Sequence, residues 1–162
     1  MSQVAVFMGS KSDEDLVRPC VDILDSLGIS YTFTITSAHR TPERTAQLVQ
    51  DLEAAGVQVF ICAAGLAAHL AGAVAAKTIR PVLGIPITAS PLAGLDALLA
   101  TVQMPPGFPV GTLALDKVGA RNAAWLAAQI LALHDASLAQ RIQKAREKMI
   151  AQVEEDAQHL KS

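Results

Sequence analysis

Cysteine is scarce in this sequence, with two residues among 162, and this limits the chemistry open to the protein. Cys20 falls in a helical pattern and Cys62 falls inside an apolar strand pattern. Neither has another cysteine or a histidine at the spacing of a redox or metal motif. We therefore predict that both thiols are buried packing residues with no redox or metal-binding role.

Excess charge and long apolar runs are also missing. The 13 basic and 15 acidic residues give a net charge of −2, and no basic run is interleaved with aromatic residues. This balance predicts that nucleic acid is not a partner. No stretch reaches the roughly 18 uninterrupted apolar residues of a membrane helix, and the chain enters a strand pattern at Val4 without a charged, cleavable leader. We expect a soluble, cytoplasmic protein with no membrane partner.

The residues that are present alternate between strand and helix patterns, which predicts parallel strands joined by right-handed crossovers. The fold expected is a flavodoxin-like α/β protein, a three-layer αβα sandwich around a five-stranded parallel sheet of order 2-1-3-4-5. Gly28 and Gly56 are placed to end the first two helices in left-handed conformations. The predicted strands are 4–8, 31–36, 59–63, 82–87 and 110–115. The predicted helices are 13–27, 42–55, 67–78, 94–101, 119–133 and 137–161.

The hydrophobic share is 51% against 17% charged residues, which is high for a small monomer and favours association with other subunits. The fifth helix is apolar nearly all round and is expected between layers. We predict one domain over residues 1–162, with a core of 1–134 and a C-terminal helix of 137–161 that packs on a neighbouring subunit. A solvated, fraying tail is the alternative for that last segment.

The loop after the first strand, GSKSD at 9–13, opens directly into a helix. Backbone amides at a helix start, with the hydroxyls of Ser10 and Ser12 beside them, suit a phosphate or another anion. An ordinary N-cap at Ser12 or Asp13 explains the pattern equally well. The spacings GxxxxGK[ST] and GxGxxG are absent, which argues against ATP and dinucleotides.

The loop after the second strand, SAHRTP at 37–42, places a base, a cation and a hydroxyl at a strand-to-helix junction, with Thr41 as N-cap and Pro42 in the first turn. Ser37 and Arg40 can contact the same anion, since the planar guanidinium matches phosphate oxygens. His39 stands between them and can act as a general acid–base group. A purely structural histidine is the alternative.

Small residues follow the third strand, from Ala63 to Gly72, and leave room for a flat ligand. His69 lies among them as a ring-facing group or a helix cap. Proline-rich segments at 86–91 and 103–107 are predicted either to stiffen loops that exclude water from the pocket or to serve as simple connectors. The strand order makes the first three loops neighbours, so we predict one shared pocket.

These motifs together resemble the PurE family, in particular its N5-carboxyaminoimidazole ribonucleotide mutases of class I, which act in de novo purine synthesis. The resemblance covers nearly the whole chain in order. It rests on GSKSD at 9–13, SAHRTP at 37–42, AAHL at 67–70, KTIRPVLGIP at 77–86, GLDALLATVQMPPGFPVGTLAL at 94–115 and GARNAA at 119–124.

The resemblance implies an isomerase that moves a carboxylate from N5 to C4 of aminoimidazole ribonucleotide through released CO2, without metal, ATP or organic cofactor. It assigns the proton transfers to His39, the phosphate to Ser10 and Arg40, and the ribose hydroxyls to Asp13. It also implies a homo-octamer. It further implies that five more residues line the pocket: Ser37, Ala64, Gly65, His69 and Leu70. From the composition of the first loop, we expect Gly9 and Ser12 to bind the substrate as well.

Four positions depart from the family pattern; two of them, Asp116 and Arg121, have no physical consequence that the sequence indicates, and the other two lie beside the pocket. Leu66 stands where a second glycine is usual, and it is expected to add bulk and backbone strain beside the ring. Ala71 replaces a proline and is expected to relax the same loop. Two other functions stay open: an aminoimidazole ribonucleotide carboxylase that uses free CO2, and a non-catalytic ribonucleotide-binding module. The AAHL segment resembles the mutase branch.

Overall fold

Five parallel strands form one sheet in the order β2-β1-β3-β4-β5 in a computed structural model that describes residues 2–160. This confirms the predicted sheet and its order. The strands are β1 (Val4–Met8), β2 (Tyr31–Ile35), β3 (Val59–Gly65), β4 (Val82–Ile87) and β5 (Gly111–Thr112). Met8 is level with both Ile35 and Ala63, so the loops that follow the first three strands leave the sheet at the same edge.

Helices cover both faces of the sheet. They are α1 (Glu14–Ser26), α2 (Pro42–Ala54), α3 (Leu70–Ala75), α4 (Leu95–Val102), α5 (Asp116–Ala132) and α6 (Ala136–His159). Alternation along β1 decides which core each side chain joins. Val4, Val6 and Met8 pack with α1, α5 and α6, whereas Ala5 and Phe7 pack on the opposite face with α2 and α3. The predicted three layers are confirmed.

Glycines and a proline set several boundaries as the sequence predicts. Gly28 and Gly56 have φ values of 65° and 101° just beyond α1 and α2, and Pro42 begins α2. Thr41 precedes that helix, but its side chain does not cap it. The Thr41 hydroxyl instead accepts the Ser37 N–H at 3.0 Å and lies 3.1 Å from the Ser37 carbonyl, which closes the loop on itself.

Helix α3 is shorter than the predicted 67–78. Leu66 has a left-handed backbone with φ of 55°, so the chain passes through an irregular turn before the helix begins at Leu70. At the other end, the Thr78 hydroxyl contacts Glu53 and accepts the Arg80 N–H at 3.0 Å. These contacts hold the segment that connects the end of α3 at Ala75 to β4.

The region from β5 to α5 also differs from the prediction. Only residues 111–112 form a strand, and α5 begins at Asp116 instead of Gly119. Gly119 lies one turn inside the helix, and a larger residue would not fit there, because a Cβ would fall 1.7 Å from the Ala114 carbonyl oxygen. As predicted, α5 is enclosed: its alanines at 123, 124, 127 and 128 are buried against α1 and the sheet.

The last helix begins at Ala136, capped by the Asp135 carboxylate, which accepts the Leu138 N–H at 2.9 Å. Leu138 and Ile142 are buried, but Ile150 and Val153 further along are exposed. The predicted end at residue 161 lies outside the described residues, and packing on a neighbouring subunit stays a prediction. None of the helices described between residues 2 and 160 has the length and apolar character needed to cross a bilayer.

Candidate active site

A cleft of about 510 Å³ opens at the carboxyl edge of the sheet, where the loops after β1, β2 and β3 meet. All eleven residues predicted from the sequence line this one cleft: Gly9, Ser10, Ser12, Asp13, Ser37, His39, Arg40, Ala64, Gly65, His69 and Leu70. Four more residues line it that were not predicted as site residues: Ala38, Leu66, Ala67 and Ala89. The first three lie in the same loops as predicted residues, whereas Ala89 comes from the loop after β4.

The first loop is organised by Ser10. Its hydroxyl oxygen accepts the Ser12 N–H at 3.3 Å and the Ser12 hydroxyl at 2.9 Å, so Ser10 caps a single 3₁₀ turn, Lys11–Asp13. Asp13 is the N-cap residue of α1, as the alternative predicted, but its side chain makes no capping hydrogen bond. The loop presents two hydroxyls and the start of a helix to the cleft.

Asp13 is the buried carboxyl of the cleft, with 8% of its surface exposed. Burial raises the pKa of this carboxyl, because the charged form loses hydration, while the Ser12 hydroxyl and the Arg40 guanidinium act in the opposite direction. A carboxyl in this setting can accept hydrogen bonds from a ligand's hydroxyl groups.

Arg40 ties the second loop to the first. Its Nη2 donates to the Gly9 carbonyl at 2.8 Å, and its backbone N–H donates to the Ser37 hydroxyl at 3.2 Å. The guanidinium is thus held over the loop that carries Ser10, at the exposed mouth of the cleft. Cation, hydroxyls and backbone amides converge as an anion site requires.

His39 and His69 meet across the cleft. The His39 Nε2 and the His69 Nδ1 are 2.8 Å apart, and the two rings lie edge to face at 75° with centroids separated by 4.9 Å. Both residues are exposed. One nitrogen must donate and the other accept at this distance, so the tautomer of one ring fixes that of the other. His69 is not a helix cap by its side chain, although it precedes α3.

On one side of the cleft, Gly65 at the end of β3 packs closely against the end of β4 and the loop that follows it. A Cβ on Gly65 would fall 2.6 Å from the Ala89 Cβ and 3.0 Å from the Ile87 carbonyl oxygen. Leu66 follows with 55% of its surface exposed and φ of 55°, which confirms the expected strain beside the cleft. Ala71, the residue expected to relax the same loop, is buried in the first turn of α3 and so lies beyond the loop itself.

The proline-rich segments are not equivalent. The segment at 86–91 reaches the cleft through Ala89. The segment at 103–107 does not line it, because it leads into β5 and so lies at the amino edge of the sheet, where Gly107 lines a separate cavity of about 820 Å³. Within one chain, the second segment therefore does not border the pocket.

Fold and cleft together define a flavodoxin-like α/β protein whose site combines an anion-binding corner with a pair of histidines. The family model described as AIR carboxylase matches residues 3–152, and the chain belongs to that family.

Relatives and solved structures agree with this assignment. The chain is 47% identical over 155 residues to the N5-carboxyaminoimidazole ribonucleotide mutase of Escherichia coli K12, covering 96% of this chain and 92% of that protein. It is 53% identical over 128 residues to the mutase of Pseudomonas aeruginosa, covering 79% of this chain and 78% of that protein. The crystal structure of Treponema denticola PurE superposes with a TM-score of 0.89 at 29% identity, covering 98% of both chains.

Proposed function

We propose that this protein is an N5-carboxyaminoimidazole ribonucleotide mutase, an isomerase of de novo purine synthesis. The curated relatives carry this name over most of the chain. The observation that carries the proposal here is the convergence of three distant loops on one cleft, with the exposed His39 beside the anion-binding residues.

The ribonucleotide is held by the polar corner of the cleft. Ser10 and Arg40 bind the phosphate, because the serine hydroxyl and the guanidinium face the same loop, whose Gly9 carbonyl fixes the Arg40 side chain. Asp13 accepts hydrogen bonds from the ribose hydroxyls. The aminoimidazole ring then lies against the small residues Ala64 and Gly65, with His39 at its edge.

The chemistry consists of two proton transfers around a trapped CO2. When the bond between N5 and the carboxylate carbon breaks, its electron pair returns to N5, which takes a proton from His39. C4 of the resulting aminoimidazole ribonucleotide then attacks the CO2 carbon, and the hydrogen on C4 leaves as a proton to His39. Protons and charge balance over the cycle, so a single base can perform both transfers.

Holding CO2 beside C4 gives a high effective concentration and depends on a closed, dry site. His69 supports the base: since its Nδ1 lies 2.8 Å from the His39 Nε2, each proton movement at His39 is coupled to the tautomer of His69. Ser37, Ser12 and Leu70 complete the lining of the site.

The test is turnover with two substrates. Purified protein is supplied either with the N5-carboxylated ribonucleotide or with aminoimidazole ribonucleotide and bicarbonate, and formation of the 4-carboxy product is measured. We expect turnover of the first substrate at low bicarbonate. Turnover of only the second pair would establish the carboxylase instead, and tight binding of the product without any turnover would establish the non-catalytic binding module.

A variant pair tests the role of His39. We expect His39→Asn to lower kcat by about 10²- to 10⁴-fold, the range typical of a general acid–base group, while binding of the product nucleotide persists. His134→Asn is the matched control, since His134 is exposed beyond α5 and does not line the cleft. Wild-type activity in His39→Asn would remove this residue from the proton-transfer role.

We further propose a homo-octamer in the cytoplasm in which α6 packs on a neighbouring subunit. The exposed apolar side chains of Met149, Ile150 and Val153 on α6 support such a contact. Sedimentation velocity tests the assembly, and a monomer at micromolar concentration would contradict it. The whole sequence, 1–162, is proposed as one domain, of which the family model matches residues 3–152.

A further inference from the structure

The carboxylate of Asp116 holds the residue that follows β4. Its Oδ1 accepts the Thr88 N–H at 2.8 Å, and its Oδ2 accepts the Thr88 hydroxyl. Asp116 belongs to a different element, the first turn of α5. Hydrogen bonds to an ionised carboxylate are stronger than those between neutral groups, so this side chain fixes the position of Thr88.

The backbone conformation at Asp116 favours glycine, so the presence of aspartate there must be explained by what its side chain does. Its φ of 54° lies in the left-handed region, where glycine is unstrained and other residues are not. Aspartate tolerates this conformation better than most residues, yet it gains nothing over glycine in backbone energy. The two bonds to Thr88 are what aspartate adds at this position.

Thr88 leads directly into the cleft. The next residue, Ala89, lines it, and the Ala89 methyl occupies the space that a Cβ on Gly65 would need, 2.6 Å away. Any displacement of Thr88 therefore moves the wall at which the β3 and β4 loops meet. This wall lies on the side of the cleft formed by small residues, away from the Arg40 corner.

The remainder of the loop is held separately. The Ser90 hydroxyl donates to the Asp96 carboxylate at 2.9 Å and accepts the Leu92 N–H at 3.0 Å. These contacts lie beyond Ala89 and fix the helix side of the loop. Asp116 is the anchor on the strand side.

We propose that Asp116 is a positioning residue for the reaction, which acts through Thr88 to hold Ala89 and the adjoining wall in place. The inference rests on the proposed mutase function, because it assumes that the ring and the CO2 lie against this wall. Misplacement of a site by about 1 Å can lower a rate by as much as 10²-fold, so loss of the anchor should affect kcat more than substrate binding.

The experiment compares Asp116→Gly with Asp116→Asn. Glycine removes the carboxylate and relieves the backbone, whereas asparagine tolerates the left-handed conformation and can still accept the Thr88 N–H through its amide oxygen. We expect Asp116→Gly to stay folded with a melting temperature close to wild type, because relief of the left-handed backbone offsets the lost hydrogen bonds. We expect it to lose about ten-fold or more in kcat and to keep KM within about three-fold. Asp116→Asn should stay within about three-fold of wild-type kcat.

Amide hydrogen exchange gives a second readout. Exchange at Thr88 and Ala89 should be faster in Asp116→Gly and near wild type in Asp116→Asn, with α5 unchanged in both. Wild-type kcat in Asp116→Gly, or equal losses of kcat in the two variants, would overturn the positioning role. If the wild-type protein does not turn over the N5-carboxylated substrate, the proposed function fails instead, and the exchange measurement still reports on the anchor.

Discussion

Replacing Leu66 by glycine and by alanine should reverse the usual order of stability of these two residues. In a regular element, glycine is less stable than alanine by roughly 0.5–1 kcal/mol because it loses more conformational entropy on folding. Leu66 has φ of 55°, where a residue with a Cβ pays about 1–2 kcal/mol that glycine does not. At the midpoints of the two ranges, the difference leaves Leu66→Gly more stable than Leu66→Ala by about 0.75 kcal/mol.

Because Leu66→Gly and Leu66→Ala are compared with each other and not with wild type, the loss of the leucine side chain affects both and largely cancels. Leu66 is 55% exposed, and both variants lose the same partial burial of its side chain. Urea denaturation at fixed protein concentration measures the difference in free energy of unfolding, which corresponds to about 1–4 °C in melting temperature for a chain of this size.

Ala67→Gly is the matched control for this pair. Ala67 is the next residue, is also exposed, and does not have a positive φ. Glycine there should lower the free energy of unfolding by about 0.5–1 kcal/mol. If Leu66→Ala is as stable as Leu66→Gly, the left-handed backbone at this position carries no strain and the reasoning fails.

Three further predictions concern the cleft and the core. Arg40→Lys should weaken binding of the product ribonucleotide about ten-fold by calorimetry, because an ammonium cannot contact the Gly9 carbonyl and a phosphate as the guanidinium does. Burial raises the pKa of Asp13 above 3.8, so the folded state favours the protonated carboxyl. The stability this adds is complete below pH 3.8 and is lost as pH rises through the folded pKa, so Asp13→Asn should gain stability over wild type between pH 3.5 and 7. Cys20 and Cys62 are buried, and burial raises the pKa of Cys20 to about 12, so neither thiol should react with iodoacetamide in the native protein.

Each of these predictions has a control on the same chain. Arg44→Lys changes an exposed arginine of α2 outside the cleft, and affinity as strong in Arg40→Lys as in this variant would contradict the phosphate role. Asp15→Asn changes an exposed carboxyl on α1, and a pH trend as large as that of Asp13→Asn would show that burial is not the cause. Both thiols should react in urea, and rapid alkylation of the native protein would show that the core opens at Cys20 or Cys62.

Regular patterns made most of the fold predictable. The alternation of strands with helices and the glycines at 28 and 56 follow from local sequence, the strand order follows from the fold that this alternation predicts, and all are found in the structure. The predicted first residues of α3 and α5 differ from the observed ones for the same reason. Each is preceded or begun by a non-glycine residue with positive φ, Leu66 or Asp116, which local preference disfavours and which surrounding contacts impose.

The cleft was predictable where residue chemistry marks it. Histidine, arginine, serine and aspartate in the first two loops indicate a site by their types, and the sheet order brings them together. Ala89 carries no chemical signal, and its place depends on a contact with Gly65, a residue of another strand. Asp116 lies far from the cleft motifs in sequence, and only its bonds to Thr88 connect it to them.

The left-handed non-glycine residues among residues 2–160 are Leu66, Ala93 and Asp116, and each follows a different strand at the carboxyl edge. Such conformations cost of order 1–3 kcal/mol each and persist only where the surroundings hold them. The cleft opens at this same edge, and of the three residues only Leu66 lines it directly. Glycine would relieve the backbone at 66 and at 116, yet the consequences should differ. At 66 the effect is on stability, whereas at 116 it removes the carboxylate that holds Thr88, and kcat falls while the fold persists.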